Sequence, residues 1–132
     1  MASRSNYTRQ VRSYFRSPRH AGSLAEVDAP VIAVTVSEGG AGVRIRLEGT
    51  SDGACWQQLA WRVFGCPHTI AAAEAACRRF EGAPIGAPGE FAFVRLVEEL
   101  GIPVEKTGRV LLLEDAFRAL EAARTGSLAS VD

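Results

Sequence analysis

Tyr7, Val11, Tyr14 and Phe15 recur at i, i+4, i+7 and i+8, which lays one apolar stripe along a short helix. Ser17-Pro18 ends it, because the proline ring disfavours helical backbone in the residue before it. Residues 18 to 30 mix Pro, Gly and polar side chains and read as a loop. The pattern then changes to that of strands. Val31 to Val36 is a β-branched run, and Gly39-Gly40-Ala41-Gly42 interrupts it with a turn. Val43, Ile45 and Leu47 alternate with Arg44, Arg46 and Glu48, the two-residue period of a strand with one wet face. Gly49 to Ala54 is the next predicted turn. From Cys55 to Phe64 the alternation resumes, with Leu59, Trp61 and Val63 on one face and Gln58, Ala60 and Arg62 on the other.

Gly65-Cys66-Pro67 switches the period back. Proline suits the first turn of a helix, where its missing N–H is no loss, so Cys66 falls at or beside the N-cap of a helix running to about Phe80. Ile70, Ala73, Cys77 and Phe80 share its inner face. A Gly/Pro-rich link from Gly82 to Gly89 leads to a helix from about Glu90 to Leu100. After a break at Gly101-Ile102-Pro103, a last helix from about Val110 to Arg124 carries Val110, Leu113, Phe117 and Leu120. The tail after Thr125 reads as frayed. The predicted fold class is α+β: a three-stranded antiparallel meander with an N-terminal helix and three C-terminal helices packed on one face. No internal repeat is visible.

At 132 residues the chain has room for one domain with one core, residues 1–132. Its 47% hydrophobic and 23% charged residues are the balance of a folding, water-soluble chain. Fifteen basic and fifteen acidic side chains leave no net field for nucleic acid or anionic lipid. A local run of Arg4, Arg9, Arg12, Arg16, Arg19 and His20 reads as a solvated helix face. As a nucleic-acid site it lacks a recognition motif or an aromatic platform. No stretch reaches the ~20 apolar residues of a membrane span, and no secretory signal is present, so a cytoplasmic protein without membrane contact is expected. Neither a Ser-His-Asp arrangement nor a phosphate loop is found, and the chain is not expected to be an enzyme.

Cys55, Cys66 and Cys77 form no CxxC pair, and with only His20 and His68 available a structural zinc is not expected. Cys66 is where sequence and chemistry converge. A thiol at a helix start lies among unpaired N–H groups and the positive end of the dipole, which favour thiolate, the form that binds soft metals and attacks sulfur. His68 offers positive charge or a second ligand if its ring turns back. The alternative is that Cys66 is a small apolar residue that merely packs.

Phe64-Gly65-Cys66-Pro67-His68-Thr69-Ile70-Ala71-Ala72-Ala73 resembles the strand-to-helix segment of the IscU/NifU iron-sulfur scaffold family, in which a Gly-Cys pair precedes a small-residue helix and the cysteine is a cluster ligand. Tyr7 through Leu24, with Ser17-Pro18-Arg19-His20-Ala21-Gly22-Ser23-Leu24, is similar to the family's N-terminal helix and its Asn-Pro-Arg sequel. Gly101-Ile102-Pro103-Val104-Glu105-Lys106 resembles the Leu-Pro-Pro-Val-Lys loop that a dedicated chaperone recognises. This implies partner binding by Ile102, Pro103, Val104 and Lys106. Leu113-Glu114-Asp115-Ala116 matches the Ala-Glu-Asp-Ala of the family's final helix.

On that resemblance the family's first ligand cysteine falls at Gly40 and its neighbouring aspartate at Gly42, while the His-Cys pair falls at Gly108 and Arg109. A [2Fe-2S] cluster normally takes four protein ligands, and one thiol does not hold it. The other cysteines do not substitute. Nine extended intervals place Cys55 about 30 Å from Cys66, and eleven helical residues place Cys77 about 16 Å away. Arg109 is expected to set a guanidinium near Cys66, and the Gly39 to Gly42 stretch to admit a partner's loop. The resemblance thus implies a degenerate scaffold-like accessory that binds a cysteine desulfurase or another assembly protein. Cys66 then serves as persulfide acceptor, or as single ligand of a transient or intersubunit iron-sulfur cluster. The alternative is a non-metal adaptor or regulator that keeps the fold without the cluster chemistry.

Overall fold

The β-branched and alternating stretches pair as a sheet, and the segments of helical period close over its apolar side. A computed structural model describes residues 8–16, 18–22, 24, 30–40 and 42–124. Its elements are α1 (Arg9–Arg16), β1 (Ile32–Glu38), β2 (Val43–Ser51), β3 (Trp56–Phe64), α2 (Pro67–Phe80), α3 (Val94–Leu100) and α4 (Thr107–Arg124). The strands form a three-stranded antiparallel sheet in the order β1-β2-β3, as the alternation predicts.

In the register, Leu47 lies between Val34 and Trp61, and Ile45 between Val36 and Val63. Side chains on alternate residues share a face, so these six make the inner side, against which α2 packs along β3 and α4 along β1 and β2. Phe117 of α4 sits 5.5 Å from Phe80 and 5.7 Å from Phe93, centroid to centroid. Tilted ring pairs of this kind add about 1 kcal/mol each to the burial of their surface.

Several boundaries differ from the pattern-based reading, each for a packing reason. β2 runs on to Ser51 instead of turning at Gly49. A Cβ on Gly49 would come within 3.0 Å of Trp56 Cζ3 and 3.1 Å of Leu59 Cδ2, so this glycine makes room for an indole and not for a turn. The turn is confined to 52–55, where Asp52 Oδ1 accepts the Ala54 and Cys55 N–H groups at 2.9 Å each. β3 starts at Trp56, and Cys55 forms an isolated bridge to Pro84. α3 starts at Val94 and not at Glu90. Ala87–Glu90 is one 3-10 turn and Phe91 is extended (φ −98°, ψ 136°), which lets Phe91 and Phe93 both lay their rings on Phe80. α4 starts at Thr107 and not at Val110, because the Val104–Lys106 3-10 turn runs into it and the Thr107 hydroxyl donates to the Val104 carbonyl at 2.7 Å.

The N-terminal segment is tied down by polar contacts. In α1, Val11 is buried, Tyr14 half-buried and Phe15 exposed; Tyr7 lies outside the described residues, as do Arg4, Ser17, Ser23, Ala41 and the tail predicted after Thr125. The chain then runs beside β3, where Trp61 N–H donates to the His20 carbonyl at 2.9 Å and Gly22 N–H to the Trp61 carbonyl at 3.0 Å. Leu24 N–H donates to Glu48 Oε1 at 2.7 Å. Glu48 and Ala60 on the outer face are therefore buried where a wet face is predicted.

His20 is also reassigned. It is buried and not part of a solvated basic face, with Nδ1 2.8 Å from Glu74 Oε2 and Nε2 2.9 Å from Glu81 Oε1. Glu74, wholly buried in α2, further accepts the His20 N–H at 2.9 Å, Trp61 Nε1–H at 2.9 Å and Arg78 Nε–H at 2.7 Å. Among the described residues no helix is long and apolar enough to cross a membrane.

Candidate functional site

β3 ends at Phe64 and α2 begins at Pro67, and Cys66 between them is the helix N-cap, with extended backbone at φ −86° and ψ 168°. The position follows from local chemistry: Pro67 has no N–H to leave unsatisfied, and the Cys66 carbonyl accepts the Ile70 N–H at 3.1 Å to start the helix. The Cys66 side chain is half-buried, with Sγ 3.6 Å from the Thr69 Oγ1. Sγ makes no regular capping hydrogen bond.

Burial pushes the Cys66 thiol up, but the opposing influences win and hold it below the usual thiol range. The Thr69 hydroxyl is the strongest of them, followed by the N–H dipoles of Thr69 and His68 and the positive charge of Lys106. Cys66 is thus a partly accessible thiol biased toward thiolate. Cys77 is its opposite. It is fully enclosed, and burial together with the negative charges of Glu74 and Glu81 pushes it well above the ordinary value. Cys55 is separated from Cys66 by the length of β3.

The other positions singled out in the sequence fall as follows. Gly40 and Gly42 lie in the β1–β2 turn, at the same end of the sheet as Cys66, since Arg44 at the start of β2 pairs with Phe64 at the end of β3. A Cβ on Gly40 or on Gly108 would meet nothing within 4 Å. Gly108 and Arg109 occupy the first turn of α4, and Arg109 keeps its Nε buried. The cation whose charge lowers the Cys66 thiol is Lys106, one turn earlier, where Arg109 is the residue expected from sequence. His68 contributes through its backbone N–H while its ring is buried. In the segment resembling a chaperone loop, Ile102 is 5% exposed and belongs to the core, whereas Val104 is 78% exposed.

Thr69 is the functional neighbour that the sequence reading did not single out. Its signal is its place, third residue of a helix whose N-cap is the thiol, where a side chain can reach back to the cap. Among the described residues no group of three or more His, Cys, Asp or Glu side chains could hold a metal ion. The arrangement offers one nucleophilic sulfur.

Comparisons with known proteins agree on the family. The family model described as the NifU-like N terminal domain matches residues 6–124. The chain is 25% identical over 118 residues to the mitochondrial iron sulfur cluster assembly protein 1 of Yarrowia lipolytica, covering 89% of this chain and 65% of that protein, which is therefore the longer of the two. It is also 25% identical over 119 residues to the iron-sulfur cluster assembly scaffold protein IscU of Buchnera aphidicola, covering 86% of this chain and 90% of that one. Among solved structures, the N-terminal NifU-like protein of Brucella abortus superposes with a TM-score of 0.68 at 18% identity, over 90% of this chain and 95% of that one. A protein described as an iron-sulfur cluster assembly scaffold for the SUF system of Fervidobacterium islandicum gives 0.67 at 10% identity, over 87% and 96%. With a shared fold and a match over nearly the whole length, the chain belongs to the NifU-like N-terminal domain family of iron-sulfur cluster assembly scaffolds.

Proposed function

We propose that this protein is a degenerate accessory of iron-sulfur cluster assembly whose Cys66 accepts sulfur from a partner persulfide, such as that of a cysteine desulfurase. The observation that carries the reading is the half-buried Cys66 thiol, held toward its thiolate at the head of α2 by Thr69, two N–H dipoles and Lys106. Attack of that thiolate on the outer sulfur of a donor persulfide forms a new S–S bond at Cys66. The donor's S–S bond breaks with its electron pair, and the donor departs as a thiolate, so neither oxidant nor reductant is needed. The step asks for one accessible sulfur and for no other ligand. Incubating the protein with a desulfurase and free cysteine should add one sulfur atom to Cys66 by mass spectrometry. Equal modification of Cys66→Ser sinks the proposal.

A second reading is a non-metal adaptor that keeps the scaffold fold. What supports it is that Gly40, Gly108 and Arg109, at the positions where the resemblance puts ligands, carry no metal-binding side chain. Anaerobic reconstitution with iron and sulfide separates the two for metal. Colour that vanishes in Cys66→Ser supports a single-ligand role in a shared cluster, and a colourless protein that still binds assembly partners supports the adaptor. Val104, exposed beside Lys106, is the apolar group available to a partner on the chaperone-like loop.

A further inference from the structure

The outer face of the sheet carries an arrangement of charge that folding does not favour. Arg46 and Arg62 are directly opposed across β2 and β3, Arg44 follows two residues away on β2 opposite Phe64, and Thr35 flanks Arg46 from β1. Like charges directly opposite on antiparallel strands destabilise a sheet. Arg46 is partly offset by Glu48 Oε2 at 2.9 Å. Among the described residues no ion pair holds Arg44 or Arg62, and both side chains are exposed. Beside them Phe64 is 74% exposed, and together these side chains line a shallow depression of about 390 Å³. The far end of the same face is closed by the Leu24 to Glu48 contact, so the patch opens toward the end of β3, two residues before Cys66.

We propose that this face docks an acidic segment of a protein partner, its carboxylates on the guanidiniums of Arg44, Arg46 and Arg62 and an apolar side chain on Phe64, so that the partner's reactive group reaches Cys66. Guanidinium forks match carboxylates in a bidentate manner. The three arginines lie within roughly 8 Å on two adjacent strands, a span that suits a short acidic stretch and is too compact to track a phosphate backbone. The chain's fifteen basic and fifteen acidic residues add no long-range field, so the attraction for an anionic partner is confined to this patch. That the partner is the sulfur donor rests on the reading of Cys66 given above; the docking surface itself stands on the arginines and Phe64.

The test titrates the isotope-labelled full chain with a synthetic peptide of glutamates interrupted by one phenylalanine. Amide shifts should centre on Arg44, Arg46, Arg62 and Phe64, and the affinity should fall with salt. Arg44→Glu or Arg62→Glu should weaken binding about ten-fold or more, while Arg118→Glu on α4 should leave it unchanged. Arg62→Thr should raise the melting temperature by relieving the opposed charges. Shifts elsewhere, equal losses from Arg118→Glu, or tighter binding of a thymidine oligonucleotide through the same arginines would overturn the proposal. With a desulfurase, Arg62→Glu should slow sulfur arrival at Cys66 without slowing its alkylation by iodoacetamide. If the peptide binds and Cys66 takes no sulfur, the surface stands and the sulfur reading falls. If Cys66 takes sulfur equally in both proteins, the claim that the sulfur donor docks on this face falls and the sulfur reading stands.

Discussion

A thiol at a helix start gains from the N–H groups there, but Cys66 is also half-buried, and burial opposes ionisation. Against burial stand the Thr69 hydroxyl, the largest of the lowering influences, and the N–H groups of Thr69 and His68. Lys106 is the smallest of them and the one that comes from a different part of the chain. Removing the hydroxyl with Thr69→Val, or the charge with Lys106→Ala, should move the pH profile of Cys66 alkylation toward higher pH and slow the reaction severalfold at neutral pH. The sign follows from the direction of the shift: a thiol held low is more ionised at neutrality, and loss of what holds it low returns it toward the unfolded value. A profile that does not move in either variant would remove Thr69 and Lys106 from the account. Cys66 was legible in the sequence because Gly-Cys-Pro marks a strand-to-helix junction by local rules alone. Thr69 was legible only in hindsight, and the role of Lys106 not at all, since its charge reaches the sulfur across the tertiary fold.

Between elements, the joint of α1 and α3 shows how a single residue can close two helices. The Thr8 hydroxyl accepts the Val11 N–H at 3.2 Å, capping α1, and donates to the Leu100 carbonyl at 2.7 Å, capping the end of α3. Gly101, which ends α3, has left-handed backbone at φ 66°, and a Cβ there would collide with the Thr8 methyl. Gly101→Ala should therefore cost about 1–3 kcal/mol of stability in urea unfolding. A loss of a few tenths would mean that the joint yields freely. The Gly-Ile-Pro break was readable in sequence as a helix stop, but its partner across the molecule was not. The same limit explains the displaced starts of α3 and α4 and the strand glycine at Gly49. In each case a distant aromatic ring or a preceding 3-10 turn overrode the local signal.

For the whole molecule, the buried cluster of Glu74, His20, Trp61 and Arg78, extended by Glu81, ties the N-terminal segment to β3 and α2. Burial pushes the Glu74 carboxyl up, yet its bonds from Arg78, His20 and Trp61 hold it below the usual carboxylate range. A carboxylate whose folded value lies below its unfolded value contributes stability that is complete above the unfolded range and is lost as pH falls through the folded one. Glu74→Gln should thus cost about 3 kcal/mol at neutral pH, with the difference from the parent protein narrowing in acid. Denaturant melts across the acid range check this, and a gap that does not change with pH would contradict it. The local chain determined the strands, the meander, the helix behind Cys66 and the thiol at its head, because two-residue and helical periods, β-branching and proline geometry act between near neighbours. Only the tertiary structure decided that His20 is a buried clamp, that Lys106 is the cation acting on the sulfur, and that three arginines crowd one open sheet face. Each of these depends on strand register and packing between residues far apart in sequence, to which periodicity is blind.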